Sequence, residues 1–278
     1  MSGNIFCEEK NYKHFGNCLF VSDGFINIIA PLEFGIRILS FSAADGENLF
    51  YEQEEGSDFL ATKEGWRIYG GHRLAFAPES EKTYWPDNLP VSYTVLGNGV
   101  RLEQKTDGFL NLSKTIDLCF LGAGLQVVHK IFNAGNETIS GAPWAITAMA
   151  EGGIMTLPWN CSQNFTATPD RFISLWNSTH LSDPRIRFEK DYVEIRQLPL
   201  DDYFKTGFFS SAGIIRYKNK NHEFQKISRT ETGGIYPDNN VNIEIFACKY
   251  MMELETLAPL CSLKPGESCE HRESWSIK

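Results

Sequence analysis

Hydrophobic and polar residues alternate with a period of two, in short runs, from one end of this chain to the other. Ile36-Arg37-Ile38-Leu39-Ser40, Leu125-Gln126-Val127-Val128-His129-Lys130-Ile131, Tyr192-Val193-Glu194-Ile195-Arg196 and Val241-Asn242-Ile243-Glu244-Ile245 each read as a strand with one buried face. Between such runs stand Asp45-Gly46, Gly97-Asn98-Gly99, Asn133-Ala134-Gly135 and Lys264-Pro265-Gly266-Glu267, which fit hairpins and tight β-turns. No long window repeats apolar side chains at helical spacing behind a cap, so βα units and a parallel sheet are disfavoured. Turns recur without self-similar repeats and no Gly/Ser- or Pro-rich linker divides the chain. The pattern predicts an all-β fold, one large antiparallel β supersandwich, with residues 1–278 as a single domain.

Composition narrows the partners. Hydrophobic residues make up 42% of the 278 and aromatics 13%, enough for a large core. Lys and Arg number 26 against 35 Asp and Glu, a net charge of −9 with no basic run, which argues against nucleic acid and anionic membrane as partners. Apolar runs such as Phe25 to Leu32 fall far short of the roughly 20 residues that cross a bilayer. Met1-Ser2-Gly3-Asn4 has no signal-peptide character, and the seven cysteines are odd in number and never spaced as CxxC. Reduced thiols and a cytoplasmic location are expected; the oligomeric state stays open.

Candidate chemistry concentrates in Gly70-Gly71-His72-Arg73-Leu74-Ala75-Phe76-Ala77-Pro78-Glu79 and Tyr84-Trp85-Pro86-Asp87-Asn88. Hydrogen-bonding groups beside flat apolar rings suit a sugar, whose hydroxyls need donors and acceptors while its C–H faces need an aromatic platform. His72 and Arg73 either sit at the mouth of a cleft or cap a turn and pair with Glu79 or Asp87. Trp85 and Trp144 are stacking platforms or core. His129 falls in phase with Leu125, Val127 and Ile131 and so faces inward. Glu253 and Glu255 share one face of a strand; solvated they are inert, whereas lining a concave site they raise one another's pKa and one becomes a candidate base. Nucleotide, zinc-protease and acyl-transfer motifs are missing, so no cofactor and no metal is expected.

An ordered set of segments carries a family resemblance. Gly35-Ile36-Arg37-Ile38, Asn48-Leu49-Phe50-Tyr51-Glu52, the Gly-Gly-His-Arg loop with Pro78-Glu79, Pro143-Trp144-Ala145-Ile146-Thr147, Tyr236-Pro237-Asp238-Asn239-Asn240-Val241 and Glu253-Leu254-Glu255-Thr256-Leu257-Ala258-Pro259-Leu260 resemble an uncharacterised bacterial family of the galactose mutarotase-like (aldose 1-epimerase) superfamily. The resemblance runs from about residue 20 to the end and implies a β supersandwich with a concave carbohydrate-binding face. Catalytic members open and reclose the sugar ring, a glutamate taking the anomeric proton and a histidine protonating the ring oxygen. Carried over, Glu255 matches the base. The strand that holds the family's histidine reads Ala142-Pro143-Trp144-Ala145-Ile146-Thr147, with none. His72 is then the expected acid, with Arg73, Glu79, Trp85, Asp87, Trp144 and Lys205 binding a small-molecule carbohydrate. The alternative is a non-catalytic sugar-binding or sensing module that has lost the mutarotase histidine.

Overall fold

The computed structural model describes residues 5–86, 88–106, 109–122, 124–159, 167 and 169–278. Its strands form three antiparallel sheets. The largest has ten strands, in spatial order Ile186–Phe188, Tyr192–Arg196, Ile154–Pro158, Ile214–Asn219, His222–Ser228, Ser268–Ile277, Gly124–Asn133, Leu112–Leu121, Gly99–Gln104 and Val91–Leu96. Facing it is an eight-stranded sheet in the order Ile173–Leu175, Phe204–Phe208, Ile243–Ala247, Met251–Leu257, Ile139–Ala150, His72–Ala77 and Arg37–Ile38, with Cys261–Leu263 also beside Ile139–Ala150. A four-stranded sheet of Phe6–Asn11, Asn17–Ser22, Ile26–Pro31 and Ser40–Ala43 adds Leu19, Val21, Ile26, Ile28 and Phe41 to the same core.

Alternation explains the layering. Each strand sends every second side chain inward, and the inward sets of the two large sheets meet: Val100, Leu102, Ile116, Leu118, Val127 and Ile131 from one, Leu74, Phe204, Phe208, Ile243, Ile245 and Leu254 from the other. Where the four-stranded sheet joins, Phe41, Phe50, Phe224 and Trp275 meet largely edge to face at centroid distances of 5.5 to 5.8 Å. Such quadrupole-matched contacts add to the area they bury.

Two predicted strands are cut differently. The run Ile36 to Ser40 divides at Leu39, whose N–H turns to the Ile29 carbonyl; Arg37–Ile38 pairs with the His72–Ala77 strand and Ser40–Ala43 with Ile26–Pro31. The other, Val241 to Ile245, begins only at Ile243. Val241 N–H closes the short Pro237–Asn240 helix onto the Pro237 carbonyl, and the Asn242 side chain is held by Ser210 and Thr230.

Candidate functional site

The outer face of the eight-stranded sheet carries the polar side chains. Cross-strand register places Lys205, Phe246, Glu253 and Ala148 in one row and Gly207, Glu244, Glu255, Ile146 and Arg73 in the next. Loops cover parts of this face: Trp66 and Ile68 lie against Ala148, and Tyr236 against the cluster of Ala75, Trp144 and Ile146. A cavity of about 240 Å³ remains between them, lined among others by Trp66, Arg73, Glu79, Tyr84, Trp144, Trp176, Tyr203, Lys205, Phe246 and Glu253.

Two glycines set which way the His72–Ala77 strand enters. Gly70 and Gly71 have φ of +96° and +69°, and a Cβ on either would sit 2.1 Å from a carbonyl oxygen, that of Tyr51 or of Ile38. Only glycine tolerates both the left-handed backbone and the close approach. The strand that follows points Arg73 into the cavity, its guanidinium 5.3 Å from the Trp66 ring, and points His72 the other way.

Lys205 organises the cavity's charges. Its ammonium lies 3.0 Å from Glu244, 3.3 Å from Glu255 and 3.4 Å from Glu79, and over the rings of Trp144 and Trp176 at 4.6 and 5.1 Å. Burial alone would lower its pKa, but the carboxylates of Glu255, Glu244 and Glu79 outweigh that and raise it, so it stays charged. Glu255 is fully buried; one oxygen also accepts from Trp144 Nε1 at 2.8 Å, and the other has no hydrogen-bond partner among the described residues. Burial and the neighbouring Glu255 push Glu244 well above the carboxylate range. Burial first, then the charge of Glu255, raises Glu253 to about 7 against the opposing pull of Arg73. Glu253 Oε1 and Arg73 Nε are likewise without partners among the described residues. Glu79 meets the cavity from its rim, where it accepts from the Tyr84 hydroxyl.

His72 is not part of this site, which corrects the expectation that it is the acid. It is fully buried between the sheets, on the face of its strand opposite Arg73. Its Nδ1 meets the Thr147 hydroxyl at 2.8 Å and its Nε2 meets His129 Nε2 at 2.7 Å. The proton order follows from the ends of this chain. His129 Nδ1 faces the His271 carbonyl at 3.1 Å and must donate, leaving its Nε2 as acceptor. His72 therefore donates through Nε2 and accepts from Thr147, whose oxygen accepts from Lys226 at 2.9 Å. Lys226 also donates to the Ala145 and Leu254 carbonyls at 3.0 Å each and pairs with Glu273 at 3.0 Å. Burial holds His72 well below the usual imidazole range and His129 at about 4. Neutral His72 cannot serve as a proton donor to a ligand on the other side of the sheet. Ligating atoms of His72, His129 and Glu273 lie within 4.8 Å of one another, but each is already committed within this closed hydrogen-bond network.

Of the other expected residues, the structure brings Arg73, Glu79, Trp144 and Lys205 to one cavity and Glu255 to its floor. Trp144 is only 4% exposed and works as a hydrogen-bond donor to Glu255 more than as an open platform. Trp85 stands apart: it stacks on Phe109 at 3.8 Å and lines a neighbouring cavity of about 320 Å³ with Ala75, Ala77 and Leu112. Asp87 lies outside the described residues. Sequence reasoning noted Glu253 but settled on Glu255, placed Tyr84 in the candidate segment without giving it a role, and missed Trp66, Trp176 and Glu244 as site residues. Glu244 carried a usable signal, since it alternates with buried isoleucines on its strand.

Searches for a family model and for a similar curated protein found no match. Comparison with solved structures did. A galactose mutarotase-like protein from Lactobacillus casei superposes with a TM-score of 0.59 at 10% identity, covering 94% of this chain and 100% of that one. The fold is galactose mutarotase-like. A provisionally assigned aldose 1-epimerase from Klebsiella pneumoniae gives a TM-score of 0.65 at 13% identity over 98% of this chain and 83% of that one. A TPR-domain containing protein from Parabacteroides distasonis gives 0.62 at 12% identity; this chain spans 94% of its own length there but only 47% of that protein. Among the described residues, no helix is long and apolar enough to cross a membrane.

Proposed function

We propose that this chain binds an aldose in the cavity over Glu253 and promotes interconversion of its anomers, with Glu253 as the proton-transferring group. The observation that carries this reading is a carboxyl held at about 7, with one oxygen unpartnered, lining a small cavity between aromatic rings and a guanidinium. A group that is half ionised near neutral pH both accepts and returns a proton readily. Glu253 takes the proton of the anomeric hydroxyl as the bond from C1 to the ring oxygen breaks and delivers it to that ring oxygen; after rotation about C1–C2 the reverse transfers close the ring on the other face. Lys205 is fixed by three carboxylates, so the guanidinium of Arg73, which lines the cavity, is the cation that faces the negative charge developing on sugar oxygen. Glu255 is a positioning residue in this scheme, orienting Lys205 and Trp144.

NMR saturation transfer between the α- and β-anomers of glucose and galactose tests the reading. Exchange should quicken with protein and fall about 10²-fold in Glu253→Gln, with a smaller loss in Glu255→Gln. A specific observation supports a second reading, a non-catalytic sugar-binding module: among the described residues, none that lines the cavity is a histidine. Saturable sugar binding with no acceleration would establish that reading in place of the first.

A further inference from the structure

With Glu244 kept protonated by burial and by Glu255, the charges around the cavity balance while Glu253 is protonated and leave one excess negative charge once it ionises, which a neutral sugar does not offset. Glu79, Glu244, Glu253 and Glu255 gather around two cations, Arg73 and Lys205. Lys205 is already engaged by three of those carboxylates, so it has little attraction left for an incoming anion. Glu253 lines the cavity, its buried Oε1 has no partner among the described residues, and the residue is only 7% exposed. A buried acceptor left unsatisfied keeps the cost of its lost solvation. The group that would satisfy it and correct the charge is a donor bearing positive charge.

Resting on the sugar-binding reading above, we infer that the sugar selected by this cavity carries a protonated amino group, which pairs with Glu253 and with Glu79 at the rim. A sugar phosphate or uronic acid meets one available cation, Arg73, against the same two carboxylates and is excluded. A cationic ligand also stabilises the ionised form of Glu253, now held at about 7 by burial and by Glu255, so binding near neutral pH releases a proton. Exchanging a neutral donor for a charged one roughly doubles the strength of a hydrogen bond, about tenfold in affinity.

Calorimetric titration of the full chain at pH 7 with glucose, 2-amino-2-deoxyglucose, 6-amino-6-deoxyglucose, N-acetylglucosamine and glucose 6-phosphate tests this, with cyclohexylamine as an amine that is not a sugar. The expected result is that one amino sugar binds about tenfold tighter than glucose, with a heat that depends on the buffer's own ionisation, while N-acetylation cancels the gain and the phosphate does not bind. Glu253→Gln should bring the ratio of amino sugar to glucose affinity close to one. Equal affinities for glucose and both amino sugars in the unaltered protein would overturn the inference and leave the sugar-binding reading standing. Cyclohexylamine binding as tightly as the amino sugar would overturn the inference alone, and binding of no sugar of any charge would overturn both.

Discussion

The same three strands build two polar clusters, one on each face of the eight-stranded sheet, and the clusters differ in how completely they are satisfied. His72, Thr147 and Thr256 point inward; Arg73, Ile146 and Glu255, their immediate neighbours, point outward. In the interior, Lys226, Glu273, Thr147, Thr256 and the imidazoles of His72, His129 and His271 form a network in which each donor meets an acceptor. On the outer face, Glu244, Glu253, Glu255 and Arg73 each keep a buried atom with no partner among the described residues. A buried network that is complete fixes a structure, whereas one that is incomplete has affinity for something else.

The sharpest way to break this comparison is to damage the interior. Lys226→Met removes the counter-charge of a fully buried Glu273, and denaturant unfolding should show a loss of about 3–5 kcal/mol. A loss below 1 kcal/mol would mean the interior network is not the tighter of the two.

Acid and alkali act oppositely on the two faces. Glu253 has a folded pKa of about 7 against 4.5 in the unfolded chain, so the folded state binds the extra proton and stability falls as pH rises from 4.5 to 7, by roughly 3 kcal/mol. His129 stands at about 4 against 6.5, so its contribution falls as pH drops from 6.5 to 4, by a similar amount. Glu244 shares the direction of the first, His72 and Glu273 that of the second. Between pH 4.5 and 6.5 the two largely cancel in the unaltered protein. Glu253→Gln should uncover a stability that declines steadily with acid across that window; an unchanged profile would refute the raised carboxyl.

Gly71→Ala comes next, at about 1–3 kcal/mol of destabilisation by thermal melting, because a Cβ at positive φ meets the Ile38 carbonyl. The smallest effect is expected for His72→Gln on ligand affinity. Provided the variant folds, sugar binding should stay within about twofold, since the ring and the cavity are on opposite sides of a sheet. A tenfold loss would restore His72 to the site.

The fold was readable in the chain because a two-residue period is local and repeated many times. Which face of a strand meets the ligand was not. In Gly70-Gly71-His72-Arg73, alternation says only that His72 and Arg73 diverge, and the backbone turn imposed by two glycines, packed against Tyr51 and Ile38, decides which one goes outward. Glu253 and Glu255 were rightly placed on one side of one strand. Ranking them needed Lys205 and Trp144, which arrive from strands about 50 and 111 residues away and, of these two glutamates, hydrogen-bond only Glu255 among the described residues. Trp176 and Tyr84 come from irregular segments whose course no periodicity encodes.

Lys226 reaches from one large sheet to the backbone of the other, grasping the carbonyls of Ala145 and Leu254, residues that flank Trp144 and separate Glu253 from Glu255. A rivet at that point stops the two layers from sliding, so the base of the cavity behaves as a rigid plate. Adaptation to ligands of different shape is thereby delegated to the overhanging segments that bear Glu79, Tyr84, Trp176 and Tyr203. Related chains could exchange those overhangs for new selectivity while the plate beneath them stays as it is.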